Sequence, residues 1–287
     1  MAGRVKHLPM RVADLLVYPV KGARAVSVAS AAVEPEGFSG DRRWMLVDGH
    51  GRAVTQRELP ALARLVAEED ASGLRLRFDG EGVSVRRPGP EAARLPVTIW
   101  RDALRLRETP EAAPALGRWF NRPLRLVRQD PDDVRPVDRD WAGPGDVVSL
   151  ADGFPILLVT TASLAALGGS AGMDRFRPNL VIEGAAPWAE DGWRRVRVGD
   201  VVLDLSKPCA RCAVTTVDQN AGVFAGSEPL DTLRRLRLSG DRRNPGVLFG
   251  WNAVPVETGT VRVGDPVEVV ETQEPWPIRP ARAVASA

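Results

Sequence analysis

The densest chemistry in the 287-residue sequence lies at residues 207–218, read Lys-Pro-Cys-Ala-Arg-Cys-Ala-Val-Thr-Thr-Val-Asp, where both cysteines of the chain sit. Four readings of Cys209 and Cys212 stand side by side. A zinc site needs four ligands, and the only histidines, His7 and His50, are remote in sequence. A thioredoxin-type pair needs a helix N-terminus to stabilise its thiolate, whereas the β-branched run Val214–Val217 predicts that the pair leads into a strand. One cysteine can serve as a thiolate ligand or nucleophile, with Arg211 beside it favouring the ionised sulfur. Both can also be small buried hydrophobes, as free cysteines often are.

Three further segments carry candidate anion-binding groups. In Tyr18-Pro19-Val20-Lys21-Gly22, a strand ends at a proline and presents a lysine next to a glycine that lets a ligand approach. Gly40-Asp41-Arg42-Arg43-Trp44 carries two arginines from a glycine-flanked turn into a strand. Arg175-Phe176-Arg177-Pro178-Asn179 places a rigid proline between a guanidinium, the planar partner of phosphate or carboxylate, and a carboxamide. Each also reads as an ordinary solvated strand end.

Composition sets the limits. Lys+Arg 39 against Asp+Glu 37 leaves a net charge of +2 with no basic arm, so no nucleic-acid partner is expected. The basic residues are lopsided: Lys6, Lys21 and Lys207 are the only lysines, so 36 of the 39 are arginine and lysine is a rare residue type in this chain. Two histidines exclude a multi-histidine metal site, and two cysteines exclude a disulfide framework. Residues 1–9 show no apolar signal region and no apolar run is long enough to span a bilayer. A cytoplasmic protein without a membrane partner is expected.

The elements that must position these groups are mostly short strands between glycine-rich turns. A strand begins at residue 10, and hairpins are predicted at 43–48/52–56, 74–78/83–86 and 97–100/104–107. Helical spacing marks 60–69 and 111–120, before a strand at 124–128. Residues 129–146, rich in Pro, Gly and Asp, form a boundary or long connection. Beyond it come a strand at 156–160, a helix at 162–167, a strand at 179–183, a hairpin about 199–200, a helix at 229–238, and strands at 247–255 and 267–271. Val-Arg-Val-Gly-Asp occurs at both 196–200 and 261–265, repeated hairpin geometry rather than a solenoid. These elements predict a mostly β (α+β) fold with a few short helices and two domains, 10–128 and 129–272, followed by a disordered tail at 273–287.

Taken in order, the motifs resemble the MOSC family, in the two-part form where an N-terminal MOSC β-barrel domain precedes the MOSC domain. This is the group of the mitochondrial amidoxime-reducing component and its bacterial relatives. The resemblance is carried by YPVK at 18–21, GDRRW at 40–44, FRPN at 176–179, CARCAVTTVD at 209–218, EPL at 228–230, LFG at 248–250 and VGDPV at 263–267. It implies a β-barrel MOSC domain packed with an N-terminal β-rich domain, and a molybdenum cofactor, a pterin with a dithiolene and a terminal phosphate. Cys212 aligns with the family's thiolate on molybdenum, making it the implied metal ligand and catalytic residue. Lys21, Arg42, Arg177 and Asn179 match cofactor contacts; Arg211, Thr160, Ser163 and Asn252 are further candidates. The soft metal takes two sulfurs from the cofactor and one from the protein, so no histidine is required.

The implied activity is reduction of N-hydroxylated compounds by oxygen-atom abstraction at the Cys-ligated molybdenum. A separate ferredoxin- or cytochrome-type protein would supply electrons, since the sequence lacks the cysteines of an iron–sulfur module. The alternatives are a sulfur carrier with a persulfide on Cys212, or a protein that binds the cofactor during its maturation. With no desulfurase domain in the chain, pyridoxal phosphate is not expected. Two departures from the family pattern stand out: Gly22 replaces the serine after the YPVK lysine, and Gln219-Asn220-Ala221-Gly222 replaces a Pro-x-Thr-Gly turn.

Overall fold

The computed structural model describes residues 9–169 and 171–279. Strands dominate it, with three short α-helices, Ala113–Phe120, Thr161–Leu167 and Leu230–Leu236, among the described residues. No described helix is long and apolar enough to cross a membrane.

The largest sheet has eight strands in the spatial order Val26–Ser27, Arg11–Val17, Leu180–Glu183, Ile156–Thr160, Leu248–Glu257, Val201–Ala210, Trp193–Val198 and Val267–Thr272. It curls until its ends meet. The Val12 amide donates to the Asp265 carbonyl at 2.9 Å and that of Val267 to Met10 at 3.0 Å, satisfying groups that an open edge would leave bare. Leu15, Ile156, Leu158, Leu180, Ile182, Val196, Leu203 and Ala253 fill the interior. Neighbours are antiparallel except Ile156–Thr160 and Leu180–Glu183, which are parallel and joined through the crossover helix Thr161–Leu167.

A second body is built on the sheet of Trp44–Val47, Arg125–Arg128, Asp102–Glu108 and Arg94–Ile99 and on the three strands Val66–Glu69, Gly73–Phe78 and Glu81–Arg86. In Gly73–Phe78 the leucines at 74 and 76 and Phe78 are buried while Arg75 and Arg77 face water, the period-two pattern of a half-buried strand. Helix Ala113–Phe120 packs Leu116 and Phe120 into this core. Hydrogen bonds cross the expected division at residue 128: Arg11–Val17 lies inside the large sheet, and Ser30–Glu34 pairs with Gly259–Arg262.

Three elements differ from expectation. Residues 60–69 are a 3-10 turn, Pro60–Arg64, followed by the strand Val66–Glu69, because pairing with Gly73–Phe78 overrides helical spacing. The run Val214–Val217 leads into a strand only at its end, Val217–Asp218, which pairs with Val223–Phe224. Ala213–Thr216 is a 3-10 turn in which the Thr215 and Thr216 hydroxyls donate to the carbonyls of Cys212 and Ala213. Part of the expected disordered tail is packed: Trp276 Nε1 donates to Ser239 Oγ at 3.1 Å, and the Arg279 amide donates to the Leu238 carbonyl at 2.8 Å. Residues 280–287 lie outside the described residues.

Two residues bear unusual structural demands. Gly250 has φ +74°, and a Cβ there would lie 2.6 Å from Val159 Cγ1 and 2.8 Å from the Leu158 carbonyl oxygen. The buried Asn179 fastens three segments: its Nδ2 donates to the Leu16 carbonyl at 3.1 Å, while its Oδ1 accepts from the Leu157 amide at 3.2 Å and Arg42 Nη1 at 3.1 Å. Gly250→Ala is expected to lower stability by about 1–3 kcal/mol through backbone strain alone, before the clash. Asn179→Ala, which removes three hydrogen bonds that tie separate segments together, should cost about 2–3 kcal/mol. Both are read from denaturant unfolding, and an unchanged midpoint for either would contradict the stated contacts.

Candidate functional site

The motifs YPVK and GDRRW are laced together by backbone. The Tyr18 amide donates to Asp41 Oδ1 at 2.8 Å, and the Arg42 amide donates to the Tyr18 carbonyl at 2.7 Å. Trp44 then donates to Pro19 at 3.0 Å, and Lys21 to Trp44 at 2.8 Å. FRPN joins them through the Tyr18 hydroxyl, which donates to the Pro178 carbonyl at 3.0 Å. Arg42 and Arg177 both adopt left-handed backbone, φ 50° and 55°, a conformation costly for residues with a Cβ and one that collects at functional sites. Each guanidinium carbon lies 4.3 Å from the centroid of the Tyr18 ring. Burial pushes the Tyr18 phenol up to about 12, so it remains a donor at neutral pH.

These segments form one wall of a cleft of about 310 Å³, and the cysteine segment forms another. Six cations line it, Lys21, Arg42, Arg57, Arg177, Lys207 and Arg211, against one carboxylate, Asp152. That imbalance, in a chain whose net charge is +2, gives the cleft a positive lining of the kind that suits an anion. Lys21 is almost fully buried and donates to Asp152 Oδ1 at 2.5 Å. Burial pulls the Lys21 pKa down, and its carboxylate partner opposes that. The cleft disfavours charge on Asp152, but Lys21 and Arg57 outweigh this and hold its carboxyl below the usual range.

Arg42 is neutralised by an ion pair with Asp41, and burial is outweighed so that its pKa is raised. Arg177 has no such carboxylate within ion-pair range among the described residues. Its Nη1 reaches Gln219 Oε1 at 3.5 Å, and its buried Nη2 has no partner. Burial lowers its pKa to about 10. A desolvated guanidinium with an unsatisfied N–H is costly unless an anion completes it.

Both cysteines are free and half-buried, and each sulfur accepts from a different guanidinium. Arg211 Nη1 donates to Cys209 Sγ at 2.9 Å, whereas Arg57 Nη2 donates to Cys212 Sγ at 3.1 Å. Arg211 is therefore in the cleft, but it faces the first cysteine, not the second. Arg57 stacks on Trp100, 4.4 Å from guanidinium carbon to ring centroid, and also lies 3.8 Å from Asp152. Among the described residues no group of three His, Cys, Asp or Glu side chains could hold a metal, so a protein-only metal site is not present there.

Of the expected site residues, Lys21, Arg42, Arg177, Asn179, Arg211, Cys212 and Asn252 line this one cleft. Thr160 and Ser163 do not. They are fully buried at the start of helix Thr161–Leu167, where Thr160 Oγ1 accepts from the Ser163 amide at 3.1 Å and Ser163 Oγ accepts from the Trp188 amide at 2.8 Å. Their hydroxyls are spent on helix capping and on the buried Glu190, whose carboxyl burial pushes up. His50 is exposed in its turn, and His7 lies outside the described residues.

Arg57, Asp152, Lys207 and the pair Gln56–Gln219 were not expected. Gln219 Nε2 donates to Gln56 Oε1 at 2.9 Å and Gln56 Nε2 returns a bond to Gln219 Oε1 at 3.2 Å, a buried reciprocal amide contact. Gln219 belongs to the segment that departs from the Pro-x-Thr-Gly turn, the one signal that could have pointed to it. Arg57 has no local signal, being one of 36 arginines and 155 residues from the cysteine it touches.

Residues 9–125 match the MOSC N-terminal beta barrel domain and residues 145–268 the MOSC domain. The chain is 34% identical over 281 residues to mitochondrial amidoxime-reducing component 1 of Xenopus laevis, covering 89% of this chain and 81% of that protein. The human protein of that name is 33% identical, with 89% and 82% covered. Molybdenum cofactor sulfurase of Drosophila grimshawi is 29% identical over 251 residues, 82% of this chain but 31% of that longer protein. The cleft between YPVK, FRPN and the cysteine segment is thus carried by a chain that belongs to the MOSC family, with an N-terminal MOSC beta barrel domain ahead of the MOSC domain.

Proposed function

We propose that the protein is a molybdenum-cofactor-dependent reductase of N-hydroxylated compounds, with Cys212 as the protein thiolate on the metal. The observation that carries this reading is one cleft holding both a half-exposed thiol and a buried guanidinium with an unsatisfied N–H. The donor set fits the group: a soft sulfur for a soft metal, and cations for a terminal phosphate. When bound, the cofactor supplies two-electron redox chemistry at the metal.

The chain's own residues supply the rest. Cys212 presents its sulfur, and the Arg57 N–H directed at it offsets negative charge on that atom. Arg42 and Arg177, pre-placed over the Tyr18 ring so that little reorganisation opposes binding, would receive the anionic end together with Lys21, which is held by Asp152. Phe154, Leu157, Phe176 and Val214 give the cleft apolar walls that limit water. Converting an N-hydroxyl to the reduced nitrogen and water consumes two electrons and two protons. The electrons would come from a separate ferredoxin- or cytochrome-type protein, and the protons from solvent.

The match to a molybdenum cofactor sulfurase favours a second reading, a persulfide carried on Cys212. Protein produced in a host that makes the cofactor separates them. Elemental analysis and pterin fluorescence should find metal and pterin; intact mass carrying one extra sulfur atom without metal would favour the carrier. Cys212→Ala should abolish N-reduction and release metal, whereas Cys209→Ala retains most of both. Equal loss in the two variants would overturn the single-ligand assignment. Arg177→Met should lower pterin content several-fold, and full occupancy would count against its role toward the phosphate.

A further inference from the structure

Among the six cleft cations, five have an acceptor: Asp152 for Lys21, Asp41 for Arg42, Cys212 for Arg57, Gln219 for Arg177, and Cys209 for Arg211. Among the described residues Lys207 has none. Its ammonium rests 4.7 Å from the centroid of Trp141, a cation–π contact that holds the side chain without neutralising it. Trp141 is itself braced by Trp276 at 5.8 Å, and Trp276 by Trp251 at 6.3 Å.

Lys207 stands apart from the cations grouped at Tyr18. It pairs in register with Asn252 on the neighbouring strand, and Asn252 pairs with Leu157 on the next. The three form a lateral row, and all of them line the cleft. Asn252 makes no side-chain hydrogen bond among the described residues, while the nearby Asn244 is committed to the Pro208 carbonyl at 2.7 Å. One ammonium without an acceptor and one carboxamide without a hydrogen bond, side by side on the cleft wall, match a single carboxylate: the charge is +1, not the several charges a phosphate cradle gathers.

We infer that Lys207 and Asn252 form a carboxylate subsite, Asn252 thereby serving substrate and not the cofactor contact expected of it, so that the preferred N-hydroxylated substrate carries a carboxylate. The inference rests on the reductase reading and narrows it to a substrate class. Lys207 is then a specificity-determining residue of this cleft.

The test compares an aromatic amidoxime with its 4-carboxy analogue, using cofactor-loaded protein and a chemical reductant. In the native protein kcat/KM should favour the carboxylated compound. In Lys207→Met that ratio should fall about tenfold, the scale of one charge-assisted hydrogen bond, and Lys207→Arg should recover part of it. Pterin content of Lys207→Met at the native level is the accompanying expectation. A ratio unchanged by Lys207→Met, or loss of pterin in that variant, overturns the assignment, the latter by giving Lys207 to the cofactor. If the native protein reduces neither compound, the reductase reading fails by itself. Calorimetric titration with 4-carboxybenzamidine and benzamidine then decides the subsite: tighter binding of the carboxylated compound, lost in Lys207→Met, supports it, and equal binding overturns it.

Discussion

Gathering like charges in a low-dielectric wall is the constraint on which this structure turns. Two guanidiniums lie against one buried phenol ring, with a lysine nearby, and their mutual repulsion must be met by the fold. Asp41 and the Arg177 carbonyl satisfy Arg42, and Asp152 satisfies Lys21. The Tyr18 ring offers its electron-rich face to both arginines. Of the cations grouped at Tyr18, Arg177 is the one left with a buried N–H that has no partner among the described residues. A protein tolerates such a residue because the strain and desolvation are met by packing elsewhere, and the unmet N–H becomes affinity for an anion.

The barrel explains how segments so distant in sequence meet. Pairing within the large sheet brings Arg11–Val17 beside Leu180–Glu183, which sets Tyr18 under Pro178 and Leu16 against Asn179. The same sheet carries Val201–Ala210 across from Leu248–Glu257, delivering the cysteines to the far wall. Register shifts between Leu205 and Lys207 and between Pro208 and Ala210 kink that strand as it reaches the cleft, a common use of bulges to re-aim side chains.

Legibility in the sequence followed locality. The positions of Lys21, Arg42, Arg177 and Cys212 could be read because each sits in a compact motif whose turn residues are themselves distinctive. The hairpin at 74–86 was plain from alternation around a glycine turn, and Gly73–Phe78 with Glu81–Arg86 occupies it. Thr160 and Ser163 misled because a hydroxyl that caps a helix and one that contacts a ligand look alike in sequence. The strand expected from Val214 onward is delayed to Val217 because, over Val214–Thr216, β-branched propensity yields to local side-chain hydrogen bonds, here the threonine hydroxyls. Arg57 and Asp152 were invisible: their roles exist only once the chain has brought them to Cys212 and Lys21.

The two sulfurs show why cleft assembly and domain packing are one event. Cys209 takes its guanidinium from Arg211, two residues away on the same segment. Cys212 takes its guanidinium from Arg57 in the N-terminal half, through a turn held at Thr55 by Glu58 and flanked by the Gln56–Gln219 contact. Arg57 in turn leans on Trp100, which stands at a hairpin tip in left-handed backbone, φ 56°. The two-residue hairpin loop Trp100-Arg101 calls for that positive φ at its first position, which fixes where the exposed indole stands. The electrostatic environment of the second sulfur is therefore a property of the docked halves and not of the Cys-x-x-Cys segment. This distinguishes two cysteines that the sequence presents as near equivalents.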